Sequence, residues 1–103
     1  MPTAPSRVVR AVWNGVVIAE SADTVVVEGN HYFPEGDVRG EHLVDSEHTS
    51  VCGWKGIARY KSVVAAGATA TDAPWYYPDP LPAAEGIAGR LAFWRGVVVV
   101  AAT

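Results

Sequence analysis

Residues Thr49 to Tyr60, read as TSVCGWKGIARY, bring a thiol, an ammonium and aromatic rings together in one short stretch. A cysteine attacks as its thiolate, and a neighbouring cation lowers its pKa. Cys52 and Lys55 offer such a pair. On a strand, residues three apart point to opposite faces, so the two converge only if the chain bends at Gly53 or Gly56. Cysteine is also among the most commonly buried residues, and without a demonstrated base Cys52 reads first as a small core hydrophobe. Lys55 beside Gly56 can bring its ammonium close to a small anionic or carbonyl-bearing ligand; otherwise it is a solvated lysine at a bend.

Glu28, Tyr32 and Asp37 form a second set. Glu28 falls at a strand end and can orient a substrate or pair with Lys55. Such a pair explains two charges lying in apolar surroundings, because an unpaired buried charge is costly. Asp37 reads best as a helix cap. A third set, Trp54, Tyr60, Trp75, Tyr76, Tyr77, Phe93 and Trp94, is mainly core, with Trp75 and the tyrosines able to wall a pocket. His42, Asp45 and His48 follow H-x-x-D-x-x-H, which on a continuous helix brings ligands together. The surrounding residues are polar, so the segment reads as solvated surface and no metal site is assigned. The catalytic candidates are Lys55, Cys52 and Glu28. The ligand-binding candidates are Tyr32, Asp37, Thr49, Lys55, Tyr60, Trp75 and Tyr77.

The elements that position these residues are mainly strands. Met1 to Ser6 reads as a loose tail and 7–103 as a single domain. Val8 to Trp13 and Val16 to Ala19 flank Asn14-Gly15, a hairpin signal because both turn residues tolerate positive φ. Val25 to Glu28 and His31 to Phe33 follow, making the first third a β-meander. Asp37 to Ser46 is the best helix candidate, weakened by Gly40. Thr49 to Trp54 and Ile57 to Val64 read as strands bent at Lys55-Gly56. Ala73 to Pro82 holds four prolines and three aromatics and reads as a fixed, irregular loop. Ala84 to Gly89 suggests one helical turn. Leu91 to Trp94 and Val97 to Ala101 suggest a last hairpin, with Val97 to Val100 buried on both faces. Seven or eight strands with so few helices imply a mostly-β domain, a strongly bent antiparallel sheet or partly closed barrel.

Composition narrows the class. The chain has 103 residues, half of them hydrophobic, enough for one core. Eight Lys and Arg against eleven Asp and Glu give a formal charge of −3 with no basic stripe, so nucleic acid is not an expected partner. No apolar run is long enough to span a bilayer. A lone cysteine forms no internal disulfide, which suits a reducing compartment, and the expected location is cytoplasmic. No cofactor is expected, and no feature fixes an oligomeric state.

Segments across nearly the whole chain resemble a family of small, mainly bacterial proteins known as domain of unknown function number 427, which also carries a nucleotidyltransferase label. They are Ile18-Ala19-Glu20-Ser21, Glu28, Tyr32-Phe33-Pro34, Asp37-Val38, Ser46, Thr49, Cys52, Lys55-Gly56, Ala58, Tyr60, Trp75, Tyr77, Pro80 and Ala92-Phe93. The resemblance implies a compact β domain with a bent, tent-like sheet arrangement, and it brings no settled reaction. Gly53 stands where some relatives place proline. The nucleotidyltransferase label fits the residues poorly. Nucleotidyl transfer needs carboxylates converging on Mg²⁺ and a glycine-rich phosphate turn, whereas Asp23, Asp37, Asp45, Asp72 and Asp79 read as turn and cap residues. Three readings therefore stand: a small-molecule-binding domain or weak enzyme, a structural or interaction module, and, behind these, a thiol redox protein.

Overall fold

A computed structural model describes residues 8–101, and the Met1 to Ser6 segment lies outside the described residues. Among the described residues ten strands form three antiparallel sheets. The first sheet orders β10 (Val98–Ala101), β1 (Val9–Trp13) and β2 (Val16–Ser21). β1 and β2 meet at Asn14-Gly15, whose φ angles of 51° and 78° suit a type I′ turn. Val9 and Ala11 face the core, while Arg10 lies opposite Glu20 on the outer face and forms an ion pair with it.

β3 (Val25–Val27) and β4 (Asn30–Tyr32) form a two-stranded sheet joined at Glu28-Gly29. The first third is therefore two separate hairpins rather than one meander. The third sheet runs β5 (Leu43–Cys52), β6 (Gly56–Ala65), β8 (Pro74–Tyr76) and β9 (Leu91–Phe93), with β7 (Ala68–Ala70) also pairing β6. Reciprocal Phe33–Leu91 backbone bonds of 2.7 and 2.9 Å continue β4 onto β9. The Arg39 N–H donates to the Ile18 carbonyl at 2.8 Å, stitching the chain after β4 to β2. Mostly-β, strongly bent antiparallel architecture is thus what the chain forms, without closure into a barrel.

Four expectations need correction. Asp37 to Ser46 is not a helix: 3₁₀ turns cover Glu35–Asp37 and Gly40–His42, and Leu43 onward is β5. Pairing along β6 supplies the backbone partners that a weak, glycine-containing helix would otherwise have to make for itself. The Ala73 to Pro82 stretch contains β8, with Pro74 as its first residue, a strand position proline tolerates. β9 and β10 do not pair with each other, since β9 pairs β8 and β10 pairs β1. β10 is an edge strand, so only Val97 of Val97 to Val100 is buried, and Val98 and Val100 are exposed. A further 3₁₀ segment covers Pro82–Ile87, near the expected helical turn.

Two apolar clusters result. One gathers Val9, Ile18, Phe33, Val63, Leu91 and Phe93, with Phe33 and Phe93 edge to face at 5.5 Å. The other gathers Tyr32, Ala58, Tyr60, Tyr77, Ile87 and Ala92, with Cys52 and Trp75 packed against it. The candidate site opens over this second cluster.

Candidate functional site

Two hairpin turns build the site. Glu28 sits in the β3–β4 turn at φ 54°, unusual for a residue other than glycine, followed by Gly29 at 80°. Lys55 sits in the β5–β6 turn just before Gly56, whose φ of 112° is a glycine conformation. The Lys55 carbonyl accepts from the Leu81 N–H at 2.9 Å, so the proline-rich segment holds this turn in place. The bend turns Lys55 inward until only 7% of its surface is exposed.

The Lys55 Nζ donates to Glu28 Oε1 and lies 5.3 Å from the Trp54 ring and 5.7 Å from the Tyr77 ring. Both rings present cation–π faces. Burial alone pulls the ammonium down, but the Glu28 hydrogen bond, with Tyr32, Tyr77 and Cys52 nearby, outweighs it and leaves the pKa above its ordinary 10.5. The same hydrogen bond holds the Glu28 carboxyl below its ordinary 4.5. Burial pushes the Tyr77 phenol up from 10.0, against the opposing pull of Lys55. At neutral pH Lys55 is therefore a charged donor and Tyr77 an uncharged phenol. A lysine acting as a base or Schiff-base nucleophile needs the opposite shift.

Beside Lys55 opens a cleft of about 330 Å³, lined by Asn30, Lys55, Tyr60, Trp75, Tyr77 and Trp94. Its walls are tied internally. Trp75 Nε1 donates to the buried Tyr32 hydroxyl at 3.1 Å, Trp94 Nε1 to the Asp72 carbonyl at 2.7 Å, and the Tyr60 hydroxyl meets Ser50 Oγ at 2.8 Å. Trp75 and Trp94 pack edge to face at 5.6 Å. A concavity of about 370 Å³ beside Pro34, Glu35 and Arg90 lacks such aromatic walls.

Of the residues singled out from sequence, Lys55, Tyr60, Trp75 and Tyr77 line this cleft, Glu28 holds Lys55, and Tyr32 lies beneath Trp75. Cys52 is half-buried at the edge of the second apolar cluster. Thr49 and Asp37 lie elsewhere. Thr49 is exposed opposite Arg59, on the face of the β5–β6 ribbon away from Tyr60. Asp37 ends a 3₁₀ turn and accepts from Ser21 Oγ at 2.6 Å, so it caps no helix. Asn30 and Trp94 were missing from the sequence reading of the site. Asn30 lies two residues beyond Glu28 across one tight turn, which was the available signal.

The H-x-x-D-x-x-H set does not converge. His42 sits in a 3₁₀ turn, Asp45 pairs with Lys61 at 2.6 Å, and His48 packs on Tyr60 at 4.5 Å. The other acids are likewise dispersed: Asp72 accepts from Ser46, and Asp23 lies 3.8 Å from Arg90. Among the described residues no three His, Cys, Asp or Glu side chains group as metal ligands, and no helix is long and apolar enough to cross a membrane.

Fold and site together define a small, mostly-β domain with a lysine-floored aromatic cleft. Residues 2–102 match the model of the family described as Domain of unknown function (DUF427), short name NTP_transf_9, and the chain belongs to that family. No curated protein matches the chain.

Proposed function

We propose that this domain binds a small molecule in the cleft beside Lys55. The carrying observation is a buried, charged lysine at the floor of an aromatic-walled cleft of about 330 Å³. Concave, largely apolar sites with a few polar groups are the usual form of small-ligand pockets. In this reading Lys55 Nζ donates to a carbonyl or small anionic group and Trp75 or Tyr77 supplies the flat wall. The raised pKa of Lys55 favours binding over covalent lysine chemistry. A cytoplasmic setting suits the lone, half-buried Cys52. The test is a thermal-shift screen of polar fragments: hits should stabilise the wild type and lose their effect in Lys55→Met. Hits that survive Lys55→Met would contradict the reading.

One observation favours a second reading. The Glu28–Lys55 pair links two hairpins that share no sheet, which a purely structural module would also need. That reading expects Glu28→Gln and Lys55→Met to lower the melting temperature together, with no fragment acting through the cleft.

A further inference from the structure

The lining atoms of the cleft discriminate among ligand head groups. Both indole N–H groups are spent on internal acceptors, so the two tryptophan walls offer ring surface alone, and the Tyr60 hydroxyl is engaged with Ser50. The polar groups left to a ligand are Lys55 Nζ, the Asn30 carboxamide and the Tyr77 hydroxyl. Among the described residues the Asn30 side chain makes no hydrogen bond comparable to those of its neighbours, and it stands half-buried on β4 facing the cleft. Lys55 already carries its counter-charge in Glu28. An entering anion could accept from these donors too, but it would face a neutral pair whose Glu28 carboxylate repels it, while losing its own hydration. An entering carbonyl needs only the donor. A neighbouring N–H on the same group would then find the Asn30 carbonyl oxygen, since a carboxamide both accepts and donates.

Resting on the small-molecule reading above, we infer that the cleft takes an uncharged carboxamide or lactam carried on a flat ring. The carbonyl accepts from Lys55, the N–H donates to Asn30, and the ring lies against Trp75 and Trp94. Glu28 acts as a positioning residue: it holds the ammonium and cancels its charge, which sets the preference for a neutral head group.

Three probes that share one ring and differ in head group test this: benzamide, benzoate and benzylammonium, titrated at millimolar concentration against the ¹⁵N-labelled protein. The indole resonances of Trp75 and Trp94 report occupancy. The wild type should bind benzamide roughly tenfold more tightly than benzoate, the difference expected for one well-made hydrogen bond. Asn30→Leu should lose roughly that factor for benzamide, whose N–H then has no acceptor at this wall. Glu28→Gln, freeing the lysine charge, should narrow the gap by strengthening benzoate. If Glu28→Gln does not fold, the wild type and Asn30→Leu still decide the matter. Benzoate or benzylammonium binding as tightly as benzamide would overturn the head-group assignment while leaving the cleft a binding site. If none of the three moves the two indole signals, the binding reading itself falls.

Discussion

Glu28 and Lys55 come from turns of different sheets, and the hydrogen bond from Lys55 Nζ to Glu28 Oε1 joins the β3–β4 hairpin to the β5–β6 hairpin. The pair is lopsided: 9% of the lysine side chain is exposed, against 52% of the glutamate side chain. Removing either partner therefore has different consequences. Glu28→Gln leaves a buried ammonium with a neutral amide acceptor and no counter-charge, whereas Lys55→Met leaves a carboxylate that water can solvate. Chemical denaturation should show Glu28→Gln as the more destabilising of the two. The reverse order would mean that the carboxylate, not the ammonium, depends on the pair.

The pH dependence follows from the signs. The folded-state pKa of Glu28 is lowered, so its contribution is complete above its ordinary 4.5 and fades as the pH falls through the lower folded value. The pKa of Lys55 is raised, so its contribution is complete below 10.5 and fades as the pH climbs through the higher folded value. Asp45 and Lys61 shift in the same directions through their own exposed pair. Melting temperature against pH should thus fall at both extremes, and Glu28→Gln should shallow the two limbs more than Asp45→Asn does. An acid limb unchanged in Glu28→Gln would count against the pairing.

Backbone strain offers a separate handle at the same turn. Glu28 holds a left-handed φ that asparagine tolerates better. Asparagine and glutamine both remove the charge, and asparagine is also too short to reach Lys55, so any gain of asparagine over glutamine comes from the backbone. Glu28→Asn should melt above Glu28→Gln. Equal melting would show that the turn relaxes around the larger residue.

Gly56→Ala tests how firmly the lysine is aimed. A Cβ there would sit 3.5 Å from the Asp79 carbonyl oxygen and the Leu81 nitrogen, an ordinary contact, so the cost arises from φ 112° rather than from a clash. A loss of roughly 1–3 kcal/mol is expected in urea unfolding. A neutral outcome would mean that the turn has an alternative path which keeps Lys55 buried.

Tyr32→Phe removes the acceptor of the Trp75 indole N–H and nothing else from a fully buried ring. The expected loss is about 1 kcal/mol, with a red shift in tryptophan emission as Trp75 loosens. Unchanged emission would show that the T-shaped packing at 6.1 Å suffices to hold Trp75.

Much of this arrangement was legible from local chemistry. Asn14-Gly15 announced a hairpin because both residues accept positive φ, and Gly56 beside Lys55 announced the bend. Two charges in apolar surroundings suggested that Glu28 and Lys55 would pair. What failed was decided by partners remote in sequence. Asp37 to Ser46 carries helix-compatible residues, yet β6 captures its second half and Val38 bridges Ala19. The valines after Gly96 look like an interior strand, yet β10 lies at an edge, where three of its four residues are exposed. Trp94 enters the cleft only because β9 pairs with β8, a fact of sheet order that no local pattern carries.

The most direct test of the cleft is to map a library of small polar fragments onto the ¹⁵N-labelled wild type and Lys55→Met in parallel. Wild-type shifts should converge on Asn30, Lys55, Trp75 and Trp94 and vanish in the variant. Hits scattered over the surface, or shifts at the cleft that persist without the lysine, would contradict the account.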